Sequence, residues 1–175
     1  KNLGAPGEAG AIVFNDKKFI SLLKSLRNQG STKKYFHEKI GYNYRMGGLE
    51  AAALFVKLKY LSEWNLRRIQ IAKRYLNEID NSLIQFQHQP ENVQSVFHLF
   101  VIATENRTKL NNYLLDNGIQ IGKHYPVACH LQKSLSYLGY NKGDFPIAEK
   151  LSNSILTLPL YPELSNDQIE YIIEK

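Results

Sequence analysis

The chain reads as an α/β protein of two lobes joined through helices rather than by a tether. Three observations carry this. Residues 49–80 hold a nearly continuous helical pattern, residues 83–160 alternate β-rich runs with helical ones, and no Pro- or Gly-rich stretch separates the two regions. The division puts residues 1–62 in one lobe and 63–175 in the other.

Taken in order, residues 4–10 are rich in Gly and Ala and form a loop. Ala11-Ile12-Val13-Phe14 is a short apolar run ending at Asn15-Asp16, the pattern of a buried strand. Asp16 is placed to cap a helix whose apolar positions Phe19, Ile20, Leu22, Leu23 and Leu26 follow helical spacing, and Asn28-Gln29-Gly30-Ser31 closes it. Residues 33–44 carry Tyr35, Phe36, Tyr42 and Tyr44 around His37, which predicts an ordered loop with its rings packed away from water. From Leu49 to about Leu61 a helix puts Leu49, Ala52, Ala53, Val56 and Tyr60 on one face. A second helix, Glu63 to Asp80, carries Trp64, Ile71, Tyr75 and Ile79, with its arginines and lysines outward.

Beyond Asp80 the period changes. Leu83–Phe86 predicts a short strand, and Ser95–Thr104 the best strand in the chain. Arg107–Asn117 is helical and stops at Gly118. Ile119 and Ile121 form an extended piece before Lys123-His124-Tyr125-Pro126. Leu131–Leu138 is a short helix, and Phe145–Asn153 another with Pro146 in its first turn. Residues 155–160 make a strand broken by Pro159, and Ser165 caps a closing helix that turns Ile169, Ile172 and Ile173 inward. No internal repeat is visible.

Composition excludes several classes. Eleven tyrosines and eight phenylalanines in 175 residues argue for a packed core and against disorder. The formal charge of +6 suits anionic ligands, but the basic residues are scattered over helical segments, so nucleic acid is not expected as a partner. No run approaches the roughly 18 apolar residues of a membrane span, so no membrane association is expected. Cys129 is the only cysteine, which rules out an internal disulfide and makes the cytoplasm the expected location.

Gly41-Tyr42-Asn43-Tyr44-Arg45-Met46 runs directly into a helix start. Helix N-termini favour anions, Asn43 adds an amide, and Arg45 adds a planar fork suited to phosphate or carboxylate. A surface turn ahead of a core helix is the competing reading. The histidines at 37, 88, 98, 124 and 130 lack the spacing of a zinc site. His98 reads as structural, within the apolar strand, and His124 as the functional candidate.

The motifs Lys1-Asn2-Leu3-Gly4, Gly41 to Met46 leading to Leu49-Glu50-Ala51-Ala52, Val56 to Asn65, His124-Tyr125-Pro126 and His130-Leu131-Gln132 occur in this order. Together they resemble the DegT/DnrJ/EryC1/StrS family of pyridoxal-phosphate sugar aminotransferases, from its cofactor lysine to near its C-terminus. The resemblance implies the C-terminal part of a fold-type I aminotransferase: residues 1–62 as the remainder of the large cofactor-binding domain and 63–175 as the small α/β domain. It implies that Lys1 is the catalytic lysine and holds pyridoxal phosphate. Asn43 would reach the cofactor phosphate of the other subunit in a homodimer with shared active sites, and Arg45, His124 and Tyr125 would meet the substrate. The implied reaction moves an amino group, with glutamate as donor, to a keto group on a nucleotide-diphosphate sugar. Gly47-Gly48 stands where a common form of the motif has an acidic residue, which weakens the helix start. The family's acidic partner for the pyridine nitrogen lies upstream of the lysine, so the chain alone is expected to be inactive. The alternative is a non-catalytic fragment or subunit that dimerises with or complements an N-terminal half and exposes apolar surface.

Overall fold

In the computed structural model, which describes all of residues 1–175, the chain divides between Leu61 and Ser62 into two units. The first holds helix α1 (Phe19–Arg27), a hairpin of strands β1 (Ser31–Lys33) and β2 (Phe36–His37), and helix α2 (Gly48–Lys57). Asp16 does not cap α1: Lys18 stands at the N-cap without a side-chain bond, and Asp16 shapes the turn before it, its carboxylate accepting the Lys18 N–H at 2.9 Å and its carbonyl the Phe19 N–H at 3.2 Å. Three further readings fail in this unit. Ala11–Phe14 is not a strand, and Ile12 and Val13 stand 71% and 93% exposed. A strand needs a hydrogen-bonded neighbour, and β1 and β2 pair only with each other. The rings at 35, 36, 42 and 44 are exposed as well, because the unit buries only Ser25 and Gly30 fully and offers them no apolar bed. Tyr42 and Tyr44 instead stack on each other at 5.0 Å. Likewise α2 has no fully buried residue.

A turn over residues 58–60 separates α2 from α3 (Leu61–Glu78). The second unit continues with β3 (Gln85–Phe86), β4 (Phe100–Ala103), α4 (Arg107–Asp116), two 3-10 turns (Cys129–Leu131 and Lys133–Leu138), α5 (Pro146–Ser154), β5 (Ile155–Leu158) and α6 (Asn166–Glu174). The sheet is antiparallel in the order β3-β4-β5, with Phe100 opposite Leu158 and Ala103 opposite Ile155. Its core joins Ile71, Ala72 and Tyr75 of α3, Phe100 and Ile102 of β4, Leu114 of α4, Leu156 and Leu158 of β5, and Ile169 and Ile172 of α6. The Tyr75 hydroxyl, inside this core, donates to the Pro159 carbonyl at 2.8 Å, and burial pushes the phenol's pKa well up.

The local signals of this unit translate directly. Gly118 ends α4 at φ +74°, Pro146 opens α5, and Ser165 with Gln168 forms a reciprocal capping box on α6. The expected outward arginines of α3 are a correction. Arg68 donates to the carbonyls of Phe97, His98 and Leu160 at 3.2, 3.3 and 2.9 Å. Arg67 donates to Leu164 at 2.9 Å. A buried carbonyl needs a donor, and these loop carbonyls take theirs from a helix face that looks solvated in sequence.

Candidate functional site

The loop after α1 is zipped to that helix. Helix C-termini leave carbonyls without intrahelical donors. Here the Ser25 carbonyl accepts the N–H groups of Asn28 and Gly30, Leu26 accepts Tyr42, and Arg27 accepts Tyr44, all at 2.7–2.9 Å. Gly30 and Gly41 make the approach possible. A Cβ on Gly41 would lie 2.2 Å from the Gly30 nitrogen, and one on Gly30, at φ +72°, would lie 1.6 Å from the Lys39 carbonyl oxygen. Asn43 sits between the two zipped tyrosines in an antiparallel bridge with Asn28. Its backbone is fixed, while its exposed carboxamide has no partner within the chain. Arg45 donates from Nη1 to the Asn28 side chain at 2.7 Å, so one edge of its guanidinium is already engaged.

Lys1 is exposed and forms no ion pair. Its segment is tied down three residues later, where the Lys57 ammonium of α2 donates to the Gly4 carbonyl. Lys57 was invisible as a partner in the sequence, since the contact spans 53 positions. A primary amine with no competing carboxylate and a free, rigidly mounted amide are chemically suited to the aldehyde and phosphate ends of pyridoxal phosphate.

In the second unit His124 is half-buried, and its Nδ1 lies 2.8 Å from the Thr157 hydroxyl of β5. That contact leaves Nε2 as the open ring nitrogen. Gly122 bridges to the same Thr157, and a Cβ there would come within 2.4 Å of the imidazole, so glycine makes room for the ring. Tyr125 packs edge-on against His124 at 5.3 Å and is otherwise exposed, and the peptide bond between them is cis. Thr157 and Gly122 are thus site-shaping residues that the sequence reading missed. Neither has a motif, and Thr157 lies 33 positions from the histidine. His130, by contrast, is structural here: its Nε2 bonds Glu149 of α5 at 3.0 Å. No three His, Cys, Asp or Glu side chains gather in a metal-binding group. The structure therefore brings Asn43 and Arg45 together in one unit and His124 and Tyr125 together in the other.

A family model for the DegT/DnrJ/EryC1/StrS aminotransferase family matches residues 1–175. The chain is 41% identical over 174 residues to the erythromycin biosynthesis sensory transduction protein EryC1 of Saccharopolyspora erythraea, covering 99% of itself and 48% of that protein. It is 39% identical over 165 residues to the dTDP-3-amino-3,6-dideoxy-alpha-D-galactopyranose transaminase of Aneurinibacillus thermoaerophilus, covering 94% and 45%. The crystal structure of DesV from S. venezuelae, in complex with a ketimine intermediate, superposes with a TM-score of 0.94 at 36% identity, covering 99% of this chain and 47% of that one. NtdA from Bacillus subtilis, with bound cofactor PMP, gives 0.88 at 28% identity, covering 99% and 42%. The chain spans about half the length of the relatives it matches.

Proposed function

Because the chain belongs to the DegT/DnrJ/EryC1/StrS aminotransferase family and has the fold of the C-terminal part of a fold-type I enzyme, we propose that it forms that part of a nucleotide-sugar aminotransferase. The reaction transfers an amino group from glutamate to a keto carbon of a nucleotide-diphosphate sugar, in a cytoplasmic homodimer with shared active sites. In this reading residues 1–62 complete the large cofactor-binding domain and 63–175 form the small domain. The observation that carries it is the mounting of Asn43: a free carboxamide on a backbone locked to α1, within a chain whose whole length matches the family. The transaminase names of relatives such as the Aneurinibacillus protein support the substrate class.

The amine of Lys1 would hold the cofactor through its aldehyde carbon, with loss of water; once the incoming amino group displaces it, the freed Nζ would carry a proton between the two carbons on either side of the transferring nitrogen. Bound pyridoxal phosphate supplies an electron sink for the charge that develops there. Asn43 would donate its N–H to the phosphate held by the partner subunit, a contact made without reorganising the loop. Thr157 holds His124 through Nδ1 and leaves Nε2 open, so that this nitrogen would meet a sugar hydroxyl, with the exposed Tyr125 beside it. Arg45 keeps part of its fork free for an anionic group of the substrate.

A second reading is favoured by one observation. The first unit leaves Ile12, Val13, Phe14, Leu49 and Phe55 open to solvent, as a part that docks on a separate N-terminal half would. An absorbance titration with pyridoxal phosphate tests the first reading. The expected result is a visible band that disappears in Lys1→Ala. A band that survives that substitution overturns the role of Lys1. Absence of a band until an N-terminal half is supplied selects the second reading.

A further inference from the structure

We propose that the cleft between the C-terminal end of α1 and the residues that follow it binds a phosphate-bearing anion. The cleft encloses about 460 Å³ and is lined by Ser21, Lys24, Ser25, Arg27, Thr32 and Arg45, with Asn28 and Ser31 completing it. Three cations thus converge on one cavity, and no carboxylate lines it. Like charges brought together repel, so the arrangement needs a compensating term.

The ordinary explanation for basic residues at a helix end is already used up. Lys24 and Arg27 lie in the last turn of α1, where cations usually bond the open carbonyls. Those carbonyls, of Ser25, Leu26 and Arg27, are taken by backbone N–H groups of the loop. Neither Lys24 nor Arg27 has a carboxylate partner. Arg45 gives one N–H to Asn28, which orients its fork and leaves further donors. The cleft wall contains Ser25, which is 3% exposed and whose Oγ is shielded from water with no hydrogen-bond partner. A buried hydroxyl left unpaired is costly, and a bound ligand is a common resolution. Thr32 contributes less, since its hydroxyl is spent on Glu38 at 2.7 Å. Three cations with hydroxyls among them fit the dispersed negative charge of a phosphate or diphosphate better than a single carboxylate. This cleft shares Arg45 with the proposed substrate contacts but does not involve the cofactor, so its anion binding stands whether or not Lys1 binds pyridoxal phosphate.

The test is calorimetric titration of the protein with sodium pyrophosphate at constant ionic strength, and separately with thymidine diphosphate. Saturable binding is expected, weakened about tenfold by Lys24→Ala and again by Arg27→Ala. Both residues are exposed and unbonded, so these variants should fold as the parent does. Ser25→Ala should bind more weakly while melting no lower than the parent. Thymidine diphosphate binding much tighter than pyrophosphate identifies a nucleoside diphosphate as the occupant, and equal affinity identifies free phosphate groups. No saturable binding up to about 10 mM pyrophosphate, or variants that bind it as tightly as the parent, overturns the proposal. Pyrophosphate binding retained in Lys1→Ala, with the visible band lost or never formed, separates this site from the cofactor reading.

Discussion

At the scale of single residues, glycines divide by what surrounds them. Gly41 faces the Gly30 nitrogen and the Leu26 carbonyl, at 2.2 and 2.7 Å from where a Cβ would sit. Neither neighbour is a side chain that can swing away. Gly41→Ala should therefore force the loop off α1 and cost about 3 kcal/mol, at the upper end of overpacking effects. Gly48, at the start of α2, meets nothing within 4 Å and has no left-handed backbone. Gly48→Ala should instead stabilise by roughly 0.5–1 kcal/mol. Thermal melts of the two variants check both signs. Such residues were only partly legible in sequence. The reading of Asn43 and Arg45 as anion ligands rests on their chemistry and their place before a helix, which the sequence displays. That Arg45 would turn toward Lys24 and Arg27, or that Thr157 would hold His124, depended on contacts across 17 or more positions.

Among elements, legibility followed how local the stabilising contact is. The α6 capping box needs only Ser165 and Gln168, three positions apart, and both its hydrogen bonds are present. The Ala11–Phe14 run needed a partner strand and had none, so its apolar composition misled. Leu131–Leu138 reads as one helix in sequence; the structure instead has a 3-10 helix at Lys133–Leu138, preceded by a 3-10 turn at Cys129–Leu131. They are pinned from outside: His130 reaches Glu149 on α5, and the Gly143 N–H donates to the same carboxylate at 2.7 Å. The Gly143 N–H, and then His130, hold the Glu149 carboxyl below its ordinary range. A carboxyl lowered in the folded state contributes stability above its unfolded pKa of about 4.5 and loses it as pH falls through the lower folded value. Melting temperature should therefore drop below about pH 4.5. Glu149→Gln should melt lower than the parent at pH 7 and show a smaller drop on acidification. Parallel curves for the two proteins would remove Glu149 from the account.

For the molecule as a whole, stability is unevenly placed. The second unit holds every buried apolar side chain, from Ile71 to Ile172, whereas the first buries none. Hydrogen exchange should accordingly find strong protection in α3, β4, β5 and α6 and fast exchange through residues 1–57. Equal protection of the two units would mean that the first is covered in solution by other protein surface, a second copy included. The α/β class was readable because the period of the apolar residues encodes it. The emptiness of the first unit's interior was not, because its sequence carries a normal apolar content and only the contact partners decide what is buried.

The glycine pair at positions 30 and 41 also sets what the loop between them can become. Gly30 and Gly41 close the base of residues 31–40 like a drawn neck, and the hairpin hangs beyond it. Chain added to or removed from the hairpin tip would change its reach and leave Asn43 where it is. A single residue inserted between Gly41 and Tyr44 would shift the zipper by one step and present a tyrosine where the amide stands. The neck thus separates a segment free to diversify from one whose register fixes where the amide of Asn43 stands.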